Sequence, residues 1–160
     1  MNRPVIVLFA ASVLWGLSWL PLKSINAMGI EGLLFSMGAY GILALALTPL
    51  FVRQKALWKQ HKRAMLLIAL FGGGANLAFT YALIYGDVIR VMVLFYLLPL
   101  WGVLGGHFFL KESIDGFRKL GVVLALGGAF LILGAFDVFD TPPTYIDLIA
   151  LLSGLLFAAN

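Results

Sequence analysis

Three groups of residues have types and spacings suited to chemistry. They are Ser12, Trp15, Trp19 and Lys23; Gly73, Asn76, Thr80 and Asp87; and Met92, Tyr96, Pro99, Val103 and His107. Within each group the steps are three, four or seven residues, so on a helix each group forms a stripe on one face, and all three stripes are expected to line one interior solute pathway. The chemistry they offer is recognition: hydroxyl and amide hydrogen bonds, ring stacking and a single imidazole. The chain has no cysteine, which excludes disulfides, cysteine-ligated metals and thiol catalysis. One segment, "DVFDTPPTYID", is rich in acids, and Asp137, Asp140 and Asp147 there could ligate a hard cation. It brings no histidine, nucleophile or phosphate cradle with it. A membrane enzyme is therefore only an alternative reading, and no cofactor or metal is expected.

Several of these residues admit a second role. Asn76 reads equally as an amide bonding helix to helix within lipid and as a solute contact. Trp19 and Lys23 also suit the outer interface, where amphipathic side chains collect. His107 is the one ionisable group inside a complete apolar run; it reads as a proton relay or as a neutral, hydrogen-bonded ring. Pro99 withdraws a backbone donor and presses on the carbonyl of Phe95, so a bend is expected there. Gly102, Gly105 and Gly106 follow it and allow close helix approach.

The elements that must position these groups are dictated by composition. Hydrophobic residues make up 62% of the 160, charged residues 11%, and the mean hydropathy is +1.04. That leaves too few polar side chains to cover a water-soluble globule, which carries roughly 25% charge. Lipid must cover the remainder. Uncharged runs occupy 4–22, 32–52, 64–86, 91–110 and 120–136, with a shorter one at 148–160. The five complete runs are close to the ~20 residues that cross a hydrocarbon core as a helix. None alternates like a barrel strand. The expectation is an all-α integral membrane protein with five complete transmembrane helices and the start of a sixth. Residues 1–136 form the five-helix unit, 137–144 an external loop, and 145–160 a truncated start of the sixth helix. At 1.5 Å per residue that last piece covers about 24 Å, short of the ~30 Å core.

The cations are unevenly distributed. Arg3, Arg53, Lys55, Lys59, Lys62, Arg63, Lys111, Arg118 and Lys119 fall on one side of the expected membrane, and only Lys23 and Arg90 on the other. The positive-inside rule then places the N-terminus in the cytoplasm. The most basic stretch, "RQKALWKQHKR", reads as a loop whose cations meet anionic headgroups, with Trp58 in the interface; nucleic acid is not an expected partner. The fifth run has a small-residue face of Gly121, Ala125, Gly128 and Ala129 and is expected to be scaffold, with Ser113 as its cap. In the second run, Ser36 and Tyr40 are the modest polar groups. An odd number of spans means that a second, similar set would enter from the opposite side, an inverted-repeat arrangement typical of secondary transporters.

Three stretches carry a family resemblance: "LWGLSWLPLKS" with Trp15, Gly16 and Lys23; "NLAFTYALIYGDVIRVMVLFYLLPL", a helix pair with a short connection and a proline in the second member; and "FFLKESIDGFRKLGVVLALGGAFLI", a Leu-x-Glu turn with Glu112 leading into a glycine-rich helix. In order and spacing the chain resembles the N-terminal half of a drug/metabolite transporter of the EamA type. The resemblance implies ten helices in two inverted halves around a central pathway, and export or exchange of small organic metabolites such as amino acids. It also implies a partner, the missing second five-helix half, besides the small-molecule substrate and the lipid bilayer; a homodimer is a further candidate partner. The expected location is the inner (plasma) membrane of a bacterium. The family's arginine early in the second helix is absent from "FSMGAYG". A small structural or regulatory membrane subunit is the remaining alternative.

Overall fold

The computed structural model describes residues 3–132 and 142–160, apart from the side chains at 56, 57 and 132. Every regular element among them is helical: α1 (Arg3–Gly16), α2 (Trp19–Ala27), α3 (Gly32–Arg53), α4 (Lys55–Gln60), α5 (Lys62–Tyr85), α6 (Val88–Phe95), α7 (Leu98–Leu110), α8 (Gly116–Ile132) and α9 (Tyr145–Ala158). Four stretches are long and apolar enough to cross a membrane: Arg3–Ala27, Gly32–Arg53, Lys62–Tyr85 and Val88–Leu110. They coincide with the first four expected runs. The fifth run, 120–136, extends past the described residues, as do Asp137, Asp140 and most of the expected external loop.

Two of the four spans are broken, each just before a proline. In the fourth, α6 ends at Phe95 and α7 begins at Leu98, joined by a tight turn in which Leu97 N–H bonds to the carbonyl of Leu94 at 3.4 Å. Pro99 then lies in the first turn of α7, where a helix leaves its amide groups unpaired in any case. The expected bend is thus a change of helix at 96–97. The first span breaks in the same way at 17–18, ahead of Pro21, although no bend was expected there. Pro49 lies inside α3, which continues to Arg53.

The helix ends are held by identifiable groups. Asp87 caps α6, accepting from Arg90 N–H at 3.0 Å. Asp115, rather than the expected Ser113, caps α8 by accepting from Arg118 N–H at 2.8 Å; the residue three positions before that amide has the reach. Thr144 and Asp147 form a reciprocal capping box at α9. α7 ends with Lys111 in the left-handed region at φ 57°, which lets both its own N–H and that of Glu112 reach the carbonyl of Gly106.

The core gathers Phe79, Ala82 and Leu83 of α5, Val91, Leu94 and Phe95 of α6, Leu97, Ala129 of α8 and Ala150 of α9. α9 packs against α5, α6 and α7 together. The expected start of a sixth helix is therefore a central element. Its contact face combines the buried small residues Ala150, Ser153 and Gly154 with Ile146, Ile149 and Leu151, which pack against the core. Close approach requires a glycine at 154, where a Cβ would lie 2.9 Å from the carbonyl oxygen of Phe95. That carbonyl is the acceptor four residues before Pro99, the one the proline ring leaves without its helical donor.

Candidate functional site

α2, α3 and α5 meet beside the end of α1 around a cavity of about 200 Å³. Trp15 and Ser18 enter it from the first span, Ser36 and Tyr40 from α3, and Asn76 and Thr80 from α5. A second opening of about 490 Å³ between α3 and α5 shares Tyr40 and Asn76 with the first and continues along Met37, Gly72, Gly73 and Leu77. No charged side chain lines either space.

The hydrogen bonding sets Asn76 apart. Ser36 is satisfied by the carbonyl of Gly32 at 3.0 Å. Neither the Asn76 amide nor the Thr80 hydroxyl makes a side-chain hydrogen bond with any described residue. Asn76 therefore does not bond helix to helix among the described residues. It presents two donors and an acceptor to a cavity whose walls are otherwise mainly apolar, and an amide in such surroundings favours a partner. Beside it Trp15 stacks parallel to Phe79, ring centroids 5.9 Å apart, and Phe79 packs on Phe95 at 4.3 Å. The buried Phe79 thus fixes the plane against which Trp15 rests.

Trp15, Asn76 and Thr80 are brought together; the other candidates lie elsewhere. Ser12 is exposed and donates to the carbonyl of Leu8 in its own helix at 2.9 Å. Trp19 packs against the core cluster. Gly16, at the end of α1, has open space around it. Lys23 is engaged: its Nζ donates to the carbonyl of Gly86 at 2.8 Å, tying α2 to the turn between α5 and α6. Tyr96 is exposed and edge-on to Phe95. Pro99 and Val103 share a cavity of about 220 Å³ with Arg118, Gly121 and Ala125, and a Cβ added at Gly121 would meet no atom within 4 Å, so this part of the small-residue face of α8 is not closely packed. His107 Nδ1 pairs with the backbone carbonyl oxygen of Glu112 at 2.9 Å, and the Glu112 carboxylate accepts from Arg118 at 3.3 Å. The stripes of the first and third spans therefore share one space, the fourth span's does not, and the second span supplies the third wall.

The strongest polar contact joins residues that no sequence pattern pairs. Arg90 of α6 donates to both carboxylate oxygens of Asp147 in α9, Nε to Oδ1 at 3.3 Å and a terminal nitrogen to Oδ2 at 2.8 Å. Thr144 adds its N–H and hydroxyl to the same carboxylate. The local half of this is visible as the Thr-x-x-Asp spacing; no local signal names a partner 57 residues away. With its oxygens so engaged, Asp147 is not disposed as a metal ligand, and no cluster of three or more histidine or acidic side chains suited to a metal occurs among the described residues.

The profile of the EamA-like transporter family matches residues 2–134. The "Uncharacterized transporter YoaV" of Bacillus subtilis (strain 168) is 27% identical over 142 residues, covering 84% of this chain and 47% of that protein. An "Uncharacterized transporter" of Buchnera aphidicola subsp. Schizaphis graminum (strain Sg) is 27% identical over 145 residues, covering 83% and 46% respectively. The chain spans about half the length of these curated relatives. No solved structure matches it significantly.

Proposed function

Because this chain belongs to the EamA-like transporter family, we propose that it is one half of a secondary transporter that exports or exchanges small organic metabolites, such as amino acids, by alternating access. A second five-helix half would complete the pathway. The observation that supports this most directly is Asn76: an amide with no side-chain partner among the described residues, beside Thr80, Tyr40 and the stacked Trp15, in a cavity without charge among its lining residues. Solute sites have this character, mostly apolar and aromatic with a few convergent polar groups. The breaks at 17–18 and 96–97 supply places where a span can change its angle.

The test uses the full-length protein that carries this chain, assayed in inverted membrane vesicles with a panel of labelled amino acids. Asn76→Leu removes the hydrogen-bonding groups at similar volume. The loss of one such bond to a solute corresponds to about tenfold in transport. The expected result is that loss, with membrane expression within about twofold of the parent. Equal losses of transport and expression would show that Asn76 holds the fold instead.

The orientation proposed is a cytoplasmic N-terminus in a bacterial inner membrane, from the nine-to-two distribution of cations. Met28, exposed in the turn between α2 and α3, and Gln54, between α3 and α4, then lie on opposite sides. In intact cells a cysteine replacing Met28 should react with an impermeant thiol reagent, and one replacing Gln54 only after lysis. The reverse pattern would overturn the orientation.

A further inference from the structure

Arg53, Lys55, Lys59, Lys62 and Arg63 crowd the connection from α3 through α4 into α5, and no carboxylate lies in that stretch. All five are exposed, and none forms an ion pair with a described residue. The two carboxylates expected on the same side of the membrane are occupied: Glu112 by Arg118, and Asp115 by capping α8. The described residues thus leave this cluster open to an anionic partner from outside.

The surface between α4 and the first turns of α5 offers more than charge. Trp58, Lys59, Lys62, Met65 and Leu66 line an open groove of about 620 Å³. Lys59 and Lys62 form its cationic rim, while Trp58, Met65 and Leu66 form an apolar floor. Trp58 is held edge-on against Phe51 of α3, ring centroids 4.2 Å apart, so the floor is braced by a neighbouring span. The groove lies where α3 ends at Arg53 and α5 begins at Lys62, at the same end of two stretches long and apolar enough to cross a membrane. A free anion would use the rim alone. A molecule with an anionic head and an apolar body uses rim and floor together, and at the end of a membrane span that molecule is a lipid.

We propose that the groove between α4 and the start of α5 is a binding site for one anionic phospholipid, with its phosphate at Lys59 and Lys62 and its upper acyl chain along Trp58, Met65 and Leu66. The site does not depend on the transport reading. Each cation near a charged headgroup strengthens attraction several-fold.

The chain in neutral detergent is titrated with short-chain phosphatidylglycerol and phosphatidylcholine, and retained lipid is counted by native mass spectrometry. The parent should bind phosphatidylglycerol about tenfold more tightly. Lys59→Gln with Lys62→Gln should reduce that preference to about twofold or less, while Lys111→Gln with Lys119→Gln should leave it intact. Inorganic phosphate should compete no better than chloride at matched ionic strength. Equal affinity of the parent for the two lipids, or an equal effect of both double variants, would overturn the proposal. Displacement specific to phosphate would reassign the rim to a free anion and overturn it likewise. A second measurement requires no charge variant to fold: phosphatidylglycerol brominated high on its acyl chain should quench the parent's tryptophan fluorescence more than brominated phosphatidylcholine. Trp58→Phe should remove the difference, and its persistence would place the lipid elsewhere.

Discussion

Asp147→Ala should destabilise the helical core by about 3 kcal/mol, the lower end of the cost of removing one partner from a buried ion pair. The residue is 8% exposed and receives both hydrogen bonds from Arg90 as well as the N–H and hydroxyl of Thr144. Truncation leaves the guanidinium, itself 20% exposed, without this counter-charge and removes the acidic half of the α9 capping box. A cap alone is worth about 1 kcal/mol, so a loss near 3 kcal/mol reports mainly on the pair. In a detergent-solubilised melt this is a fall of roughly 10 °C. Asp147→Asn keeps an acceptor for Thr144 but no charge, and should fall between the parent and the alanine variant. A melt within about 3 °C of the parent for Asp147→Ala would mean that water screens the pair and that α9 is held by its apolar face alone.

Gly154→Val should cost at least as much, for a steric reason. A Cβ at this position would lie 2.9 Å from the Phe95 carbonyl oxygen and 3.5 Å from its carbonyl carbon and Cα, all backbone atoms. Backbone cannot rotate away as a side chain can, so α9 would have to withdraw from the junction of α6 and α7. Overpacking of this kind costs about 1–3 kcal/mol, and a β-branched side chain places a second heavy atom in the same gap. The expected loss is about 3 kcal/mol for valine and 1–2 kcal/mol for alanine. Gly127→Ala in α8 is the control: a Cβ added there would meet no atom within 4 Å, and a helical glycine replaced by alanine should be neutral or stabilising by up to about 1 kcal/mol. If Gly154→Ala and Gly127→Ala melt alike, the approach of α9 to Phe95 is not tight, and the central position of α9 loses its explanation.

Much of the chain is legible from local pattern. Four of the expected runs are the four spans, because the length of an uncharged stretch directly measures what can cross a bilayer. The change of helix ahead of Pro99 follows from a missing donor, and the pairing of Glu112 with Arg118 from proximity along the chain. The break ahead of Pro21 rests on the same chemistry and is equally readable. Of the candidate site, Trp15, Asn76 and Thr80 lie on the expected stripes, while Ser36 and Tyr40 contribute more than their modest polarity suggests. Small or modestly polar side chains in an apolar helix look alike whether they line a cavity or pack against a neighbour.

Composition and spacing within a few residues are enough to establish a membrane-spanning helical protein, with its spans, its short turns and its charge asymmetry, while membership of the EamA-like family rests on the match over residues 2–134. Which stripes face one another emerges only when the helices pack. Packing joins Trp15 to Asn76, keeps Tyr96 and His107 apart from them, ties Lys23 to Gly86, pairs Arg90 with Asp147, and seats Gly154 on the carbonyl left open by Pro99. The reason lies in the solvent. Lipid tails are as apolar as a protein interior, so a hydrophobic residue can face either, and hydropathy does not set the rotation of a helix about its axis. That rotation is set by where small residues permit contact and where a few polar groups find partners, and those partners are distant in the chain.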